Sequence, residues 1–241
     1  MAGPRHSARA ALGLVFLVLA ARPARTLELK PTTLRWAEGT PGCTFSADDD
    51  GKYRYGFWTD DFGVIVAVDS QELQKSIRRT EPLLGVLITF RYRGHDSITI
   101  RPDAITLEFV LHEHDVQRAL DPDALSLDLQ HDADTAANEA DRQIRKHPEK
   151  KVDQESQLQV LQTTVKDMQE FLRTRSLRST TLDPAGPDVN GWVFFRARSK
   201  WIGKWNQQEE FLLKIPLSEQ VIEFPFALPP SSGDLLLRRR P

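Results

Sequence analysis

The chain has 241 residues, with 32 Lys and Arg against 34 Asp and Glu, and a formal net charge of -2. This length supports one large domain or one domain with an insertion. The charge lacks the basic excess that nucleic-acid binding requires, so we expect no nucleic-acid partner. Cys43 is the single cysteine, which excludes an intrachain disulfide.

The N-terminus has the pattern of a secretory signal. Two arginines precede an apolar stretch over residues 10–21, and two more arginines close it. The stretch is shorter than the about 20 apolar residues that span a bilayer. We predict a signal peptide over residues 1–25, cleaved between Ala21 and Thr26. Because this segment holds four arginines and no acid, the remainder would carry a net charge of -6. The expected location is secreted or periplasmic, with no transmembrane helix after cleavage.

Residues 26–112 have the pattern of antiparallel strands. The stretch 52–68 predicts two strands joined by a turn, with three aromatic residues on one face. Apolar and polar residues then alternate over 86–92 and again over 105–111, as expected for half-buried strands. We interpret this part as the first half of a β-sandwich. The alternating apolar positions are Val86, Ile88, Phe90, Ile105, Leu107, Phe109 and Leu111.

Residues 113–182 have helix composition, rich in Glu, Asp, Gln, Lys, Ala and Leu. Within them, an apolar stripe at spacings of three and four predicts a packed helix or a short coiled coil. The stripe either docks on its own chain, which favours a monomer, or pairs two chains through residues 158–172. The polar stretch 132–151 predicts a mobile connection between helices. The stripe comprises Leu158, Leu161, Val165, Met168 and Leu172.

The strand pattern returns over residues 183–228, which we interpret as the second half of the sandwich. Strands are expected over 192–196, 211–217 and 222–226, and a flexible tail over 229–241. The fold class is therefore mainly β, an antiparallel immunoglobulin-like sandwich interrupted by a long helical insertion.

Three histidines form the candidate metal site. On an extended strand His112 and His114 would point to the same face, and His131 could supply a third ligand for zinc or copper. Exposed histidines at a strand end are the alternative interpretation, and we assign no cofactor.

A tryptophan- and lysine-rich segment forms the candidate binding site. Trp201 and Trp205, with Lys200 and Lys204, lie in an unusually aromatic and basic stretch of an acidic chain. Such residues suit a glycan or protein partner if exposed, and core packing around a hairpin if not.

The stretches 90–109 and 182–195 carry a resemblance to a known group. In both, a polar or proline-glycine turn leads into an apolar strand, and the pattern resembles bacterial extracytoplasmic immunoglobulin-like domains of unknown function. The resemblance implies a binding or accessory role in the envelope. The matching residues are Gly94, Asp96, Ile98, Ile100, Pro184, Gly186, Gly191, Trp192 and Phe194.

Together these patterns favour an exported, non-catalytic binding or accessory module of the bacterial cell envelope or periplasm, whose partner is an envelope protein or a glycan. The alternative is a metal-dependent or carbohydrate-active extracytoplasmic enzyme with its site around the three histidines.

Overall fold

A computed structural model describes residues 31–47, 52–69, 83–197 and 208–228. Two helices lie between the eighth and ninth strands, α1 (Pro122–Lys146) and α2 (Lys151–Arg175), joined by a single 3-10 turn, Pro148–Lys150. In chain order the strands are β1 (Thr32–Arg35), β2 (Cys43–Ala47), β3 (Lys52–Trp58), β4 (Phe62–Asp69), β5 (Leu83–Tyr92), β6 (Ile98–Ile100), β7 (Thr106–Phe109), β8 (Asp115–Arg118), β9 (Thr180–Leu182), β10 (Val189–Arg196), β11 (Glu209–Leu217) and β12 (Gln220–Leu228).

The strands form two five-stranded sheets and one short ribbon. The first sheet has the order β1-β12-β11-β7-β8, and the second has the order β10-β5-β4-β3-β2. The ribbon pairs β6 with β9. All neighbouring strands are antiparallel except β1 and β12, which are parallel. The fold class is therefore mainly β, with antiparallel sheets, as the alternating pattern predicted.

One apolar core contains the inward side chains of both sheets. Because successive side chains of a strand point to opposite faces, the alternation along β5 sends Val86, Ile88 and Phe90 into this core. They meet residues of the first sheet such as Phe109 and Phe211, whose rings lie 5.1 to 5.3 Å from neighbouring aromatic rings. The outward residues of β5 and β10 are left to contact another layer.

That layer is the helical hairpin of α1 and α2. The apolar stripe of α2 packs against α1 and against the outer face of the second sheet, next to Leu83 and Phe194. Val165, Met168 and Leu172 of the stripe are thus buried within the chain, and Leu161 packs against them. The buried members of this second core are Leu83, Leu125, Leu129, Ala133, Val165, Met168, Leu172 and Phe194.

Both ends of the hairpin are fastened to β10. The amide of Leu120 donates to the carbonyl of Phe194 at 2.8 Å, and the amide of Leu177 donates to the carbonyl of Trp192 at 2.9 Å. The side chain of Asp121 caps α1 by accepting from the amides of the second and third residues after it. These contacts position the helices on the sheet.

The helical part is shorter at its ends and more continuous in its middle than the sequence predicted. Residues 115–118 and 180–182 are strands, so the helices do not fill the predicted range 113–182. The expected mobile connection over 132–151 is wrong for most of its length, since α1 continues to Lys146. Alanines are the physical reason, because they have high helix propensity and allow the two helices to approach closely. Two of them, Ala133 and Ala140, are buried.

Candidate binding surface

The first two predicted histidines lie in the turn between β7 and β8. There Glu113 and His114 have φ values of 57° and 56°, in the left-handed region, so this stretch is not the extended strand expected from the sequence. His112 Nε2 lies 2.8 Å from Oε2 of Glu209, and both side chains are largely buried. The carboxylate of Glu209 is therefore the partner of His112.

His114 belongs to a separate ion cluster on the outer face of the first sheet. Its Nδ1 lies 2.6 Å from Oε1 of Glu108, whose other oxygen lies 3.1 Å from Nζ of Lys214. The hydrogen bond from His114, followed by the one from Lys214, lowers the pKa of Glu108 below its ordinary value. This arrangement holds the turn against the neighbouring strand.

The third predicted histidine lies on a different element. His131 is on α1, its ring is 82% exposed, and its nearest recorded carboxylate is that of Asp132 at 3.9 Å. Over the described ranges, no three His, Cys, Asp or Glu side chains are grouped as metal ligands. The geometry does not bring His112, His114 and His131 together.

The predicted binding residues Trp201, Trp205, Lys200 and Lys204 lie outside the described residues. The structure places another tryptophan on an open surface. Trp58 is the last residue of β3. Because side chains alternate between the two faces of a strand and three aromatic residues of β3 point inward at every second position, the side chain of Trp58 lies on the outer face of the second sheet.

The ring of Trp58 lies over two glycines. A Cβ atom added to Gly63, the residue paired with Trp58 across β4, would lie 2.3 Å from ring atoms Cε3 and Cζ3. One added to Gly56 would lie 2.9 Å from Nε1, which donates to Oγ1 of Thr44 at 3.4 Å. Side chains at either position would displace the ring. The absence of side chains at these two glycines thus lets the indole lie flat on the outer face of the sheet.

An arginine and an aspartate continue the same row of the sheet. Arg91 pairs with Gly63, and its guanidinium carbon lies 5.7 Å from the centre of the Trp58 ring, within range of a cation–π contact. Nε and Nη2 of Arg91 donate to the carboxylate of Asp188 at 2.8 to 3.2 Å. This pairing lowers the pKa of Asp188 and raises that of Arg91. We call Gly56, Trp58, Gly63, Arg91 and Asp188 the tryptophan shelf.

The neighbouring row of the sheet is mostly polar and reaches the surface. The strand registers place Thr44, Gly56, Ile65, Thr89 and Asn190 side by side on the same outer face. The threonines and the asparagine provide hydroxyl and amide groups beside the shelf. The surface therefore combines one aromatic ring with several hydrogen-bonding groups, which is the composition of a polar ligand site.

The sequence around Trp58 contains a signal for this surface. Trp58 directly follows the run of inward aromatic residues, so it falls on the opposite face, and Gly63 faces it across a short hairpin. Strand parity could have identified Trp58 as outward. The ion pair of Asp188 with Arg91 joins residues that are 97 positions apart in the sequence, so only the fold reveals it.

The chain matches no family model, no curated protein and no solved structure. Among the described residues, no helix has the length and apolar character needed to cross a membrane.

Proposed function

We propose that this protein is an exported, non-catalytic binding module of the bacterial cell envelope, which binds a glycan on the tryptophan shelf. The observation that carries this proposal is the position of Trp58, flat over Gly56 and Gly63 on the outer face of a sheet. A saccharide ring has an apolar C–H face that can pack on an indole, and hydroxyls that need polar partners.

The polar groups around Trp58 favour a glycan over a protein partner. Interface hot spots in protein complexes are surrounded by contacts that exclude water. Here the neighbours are the half-exposed Arg91, Asp188 and the exposed Asn190, which remain hydrated and able to bind hydroxyls. Arg91 has further N–H donors that are not used in its recorded bonds to Asp188.

We further propose that the sandwich is immunoglobulin-like. Its two antiparallel sheets with one shared core support this assignment, and the hairpin of α1 and α2 would be an insertion between strands. The resemblance over residues 90–109 and 182–195 falls on strands of both sheets and on the ribbon.

The experiment is sedimentation of the protein with purified peptidoglycan sacculi, compared with the variants Trp58→Ala and Arg91→Gln. We expect the parent to sediment with the sacculi, and each variant to lose tenfold or more in affinity, since a buried aromatic or arginine contact contributes about 1.4 kcal/mol or more. Arg35→Gln is the matched control. Arg35 is also an exposed arginine paired with a carboxylate on an outer sheet face, that of Glu223 at 3.1 Å, but on the first sheet.

Equal sedimentation of Trp58→Ala and parent would reject the shelf as the glycan site. Capture of a protein by a crosslinker placed at Thr89, with no binding to sacculi, would replace the glycan with a protein partner. Stoichiometric metal in the purified protein would favour the alternative, a metal-dependent enzyme.

A further inference from the structure

Charge is sharply divided along the helical hairpin. From Pro122 to Asp141, α1 carries six acidic residues and no Lys or Arg. The next ten residues, 142–151, contain five Lys or Arg and one acid, Glu149. They comprise the end of α1, the turn and the first residue of α2. We call residues 142–151 the apex, and its net charge is +4 at neutral pH.

Several of these charges are unpaired. The side chains of Arg145, Lys146 and Lys150 are exposed, and no described carboxylate forms an ion pair with them. The single apex acid, Glu149, contacts the ring of His147 at 3.2 Å. Three cations at one end of the hairpin are therefore available to an anionic partner.

The two remaining apex cations have weak ion pairs with acids one turn away. Arg142 lies 3.8 Å from Glu139, and Lys151 lies 3.7 Å from Glu155. All four side chains are at least 55% exposed, and exposed pairs of this kind contribute little. They can be exchanged for contacts with a partner at small cost.

The apex stands clear of the sheets. On α1 the side chains that share the second core end at Ala133, which leaves residues 134–146 beyond it. At 1.5 Å per residue, these form roughly 20 Å of helix. Since the Debye length is about 8 Å at physiological salt, the acids of the two sheets are largely screened from the apex, whereas Glu139, Asp141, Asp153 and Glu155 flank it within about one helical turn. Its positive charge therefore acts locally.

The start of α2 strengthens this charge. Lys150 and Lys151 occupy the positive end of the helix dipole, where acidic residues are the stabilising choice, and Lys150 makes no side-chain capping bond. Val152 follows them and is 77% exposed. An exposed apolar residue beside lysines suits the boundary between lipid headgroups and acyl chains.

We propose that the apex binds the anionic headgroups of a phospholipid membrane. A hairpin end that presents unpaired lysines and arginines with an adjacent apolar residue is complementary to such a surface. A membrane also fits an end-on approach, because the apex reaches a planar surface before the acidic part of α1 does. The apex is separate from the tryptophan shelf, so this proposal does not depend on glycan binding.

The experiment is flotation of the full protein with vesicles of phosphatidylglycerol mixed with phosphatidylcholine, and with vesicles of phosphatidylcholine alone. The test variant is Arg145→Gln/Lys146→Gln/Lys150→Gln. A basic residue near an anionic surface is worth about fivefold in affinity, so we expect a loss of roughly 100-fold. Binding of the parent should also weaken as salt is raised.

The matched control is Lys166→Gln/Arg173→Gln/Arg175→Gln, which removes the same charge from the docked end of α2. We expect it to bind like the parent, and circular dichroism should show equal helix content in all three proteins. Equal binding of the parent to both vesicle types, or equal losses in test and control variants, would overturn the proposal. Polyglutamate that binds the parent as tightly as the anionic vesicles do would assign the apex to an acidic protein instead.

Discussion

Truncation of Phe194 tests whether the hairpin is held by the second core. Phe194 is 1% exposed, lies over Gly85 of the adjacent strand, and its ring centre is 6.2 Å from that of Phe171 on α2. A buried phenylalanine removes about 150 to 200 Å² from water, worth roughly 4 to 5 kcal/mol at about 25 cal/mol per Å². Because the site can partly collapse, we expect Phe194→Ala to cost about 3 to 5 kcal/mol of unfolding free energy.

The assay is urea denaturation together with hydrogen exchange of the helix amides. Phe90→Ala is the matched comparison, since Phe90 is equally buried but lies between the sheets. Phe194→Ala should reduce protection of α1 and α2 more than that of the first sheet, whereas Phe90→Ala should reduce protection throughout. A cost below about 1 kcal/mol for Phe194→Ala, or unchanged protection of α2, would refute the docking described here.

Three other perturbations test the packing and the ion cluster. Leu161→Asp/Met168→Asp should destabilise a monomer by several kcal/mol, and light scattering that shows a dimer converted to a stable monomer would contradict this. Gly191→Ala should cost about 1 to 3 kcal/mol in thermal unfolding, because a Cβ there would lie 2.5 Å from backbone atoms at the end of the hairpin. The His114 hydrogen bond lowers the folded pKa of Glu108, so its stabilisation is present above the unfolded pKa of about 4.3 and is lost as pH falls through the folded value. Glu108→Gln should therefore be less stable than the parent at neutral pH by about 1 to 2 kcal/mol, and the difference should vanish in acid.

The strands were predictable because their side chains alternate. The apolar positions of residues 86–92 and those of 105–109 are buried, and the pattern requires only that one face meet a core. The expected strand over 105–111 is too long, since β7 ends at Phe109 and Leu111 is 54% exposed in the turn that follows. The stripe of α2 was predictable for the same reason, because its apolar residues recur at spacings of three and four. Its partner surface was not, because Phe194 looks like any other strand residue until its neighbours are known.

The histidine site shows where local reasoning fails. The spacing of His112 and His114 would place them together only on an extended strand, and two left-handed residues turn the chain there. The partner of His112 is Glu209, which is 97 residues away and becomes adjacent through the pairing of β7 with β11. No spacing within the sequence encodes such a contact.

The bonds that fasten the hairpin to β10 also protect that strand. β10 is the last strand of its sheet, and an unprotected last strand can pair with another chain through its free amides and carbonyls. The residues that enter and leave the hairpin occupy two of those carbonyls, at Trp192 and Phe194. Excision of residues 119–179 would therefore do more than shorten the protein. It would expose the edge of β10, and we expect the protein to self-associate through this strand when the helices are absent.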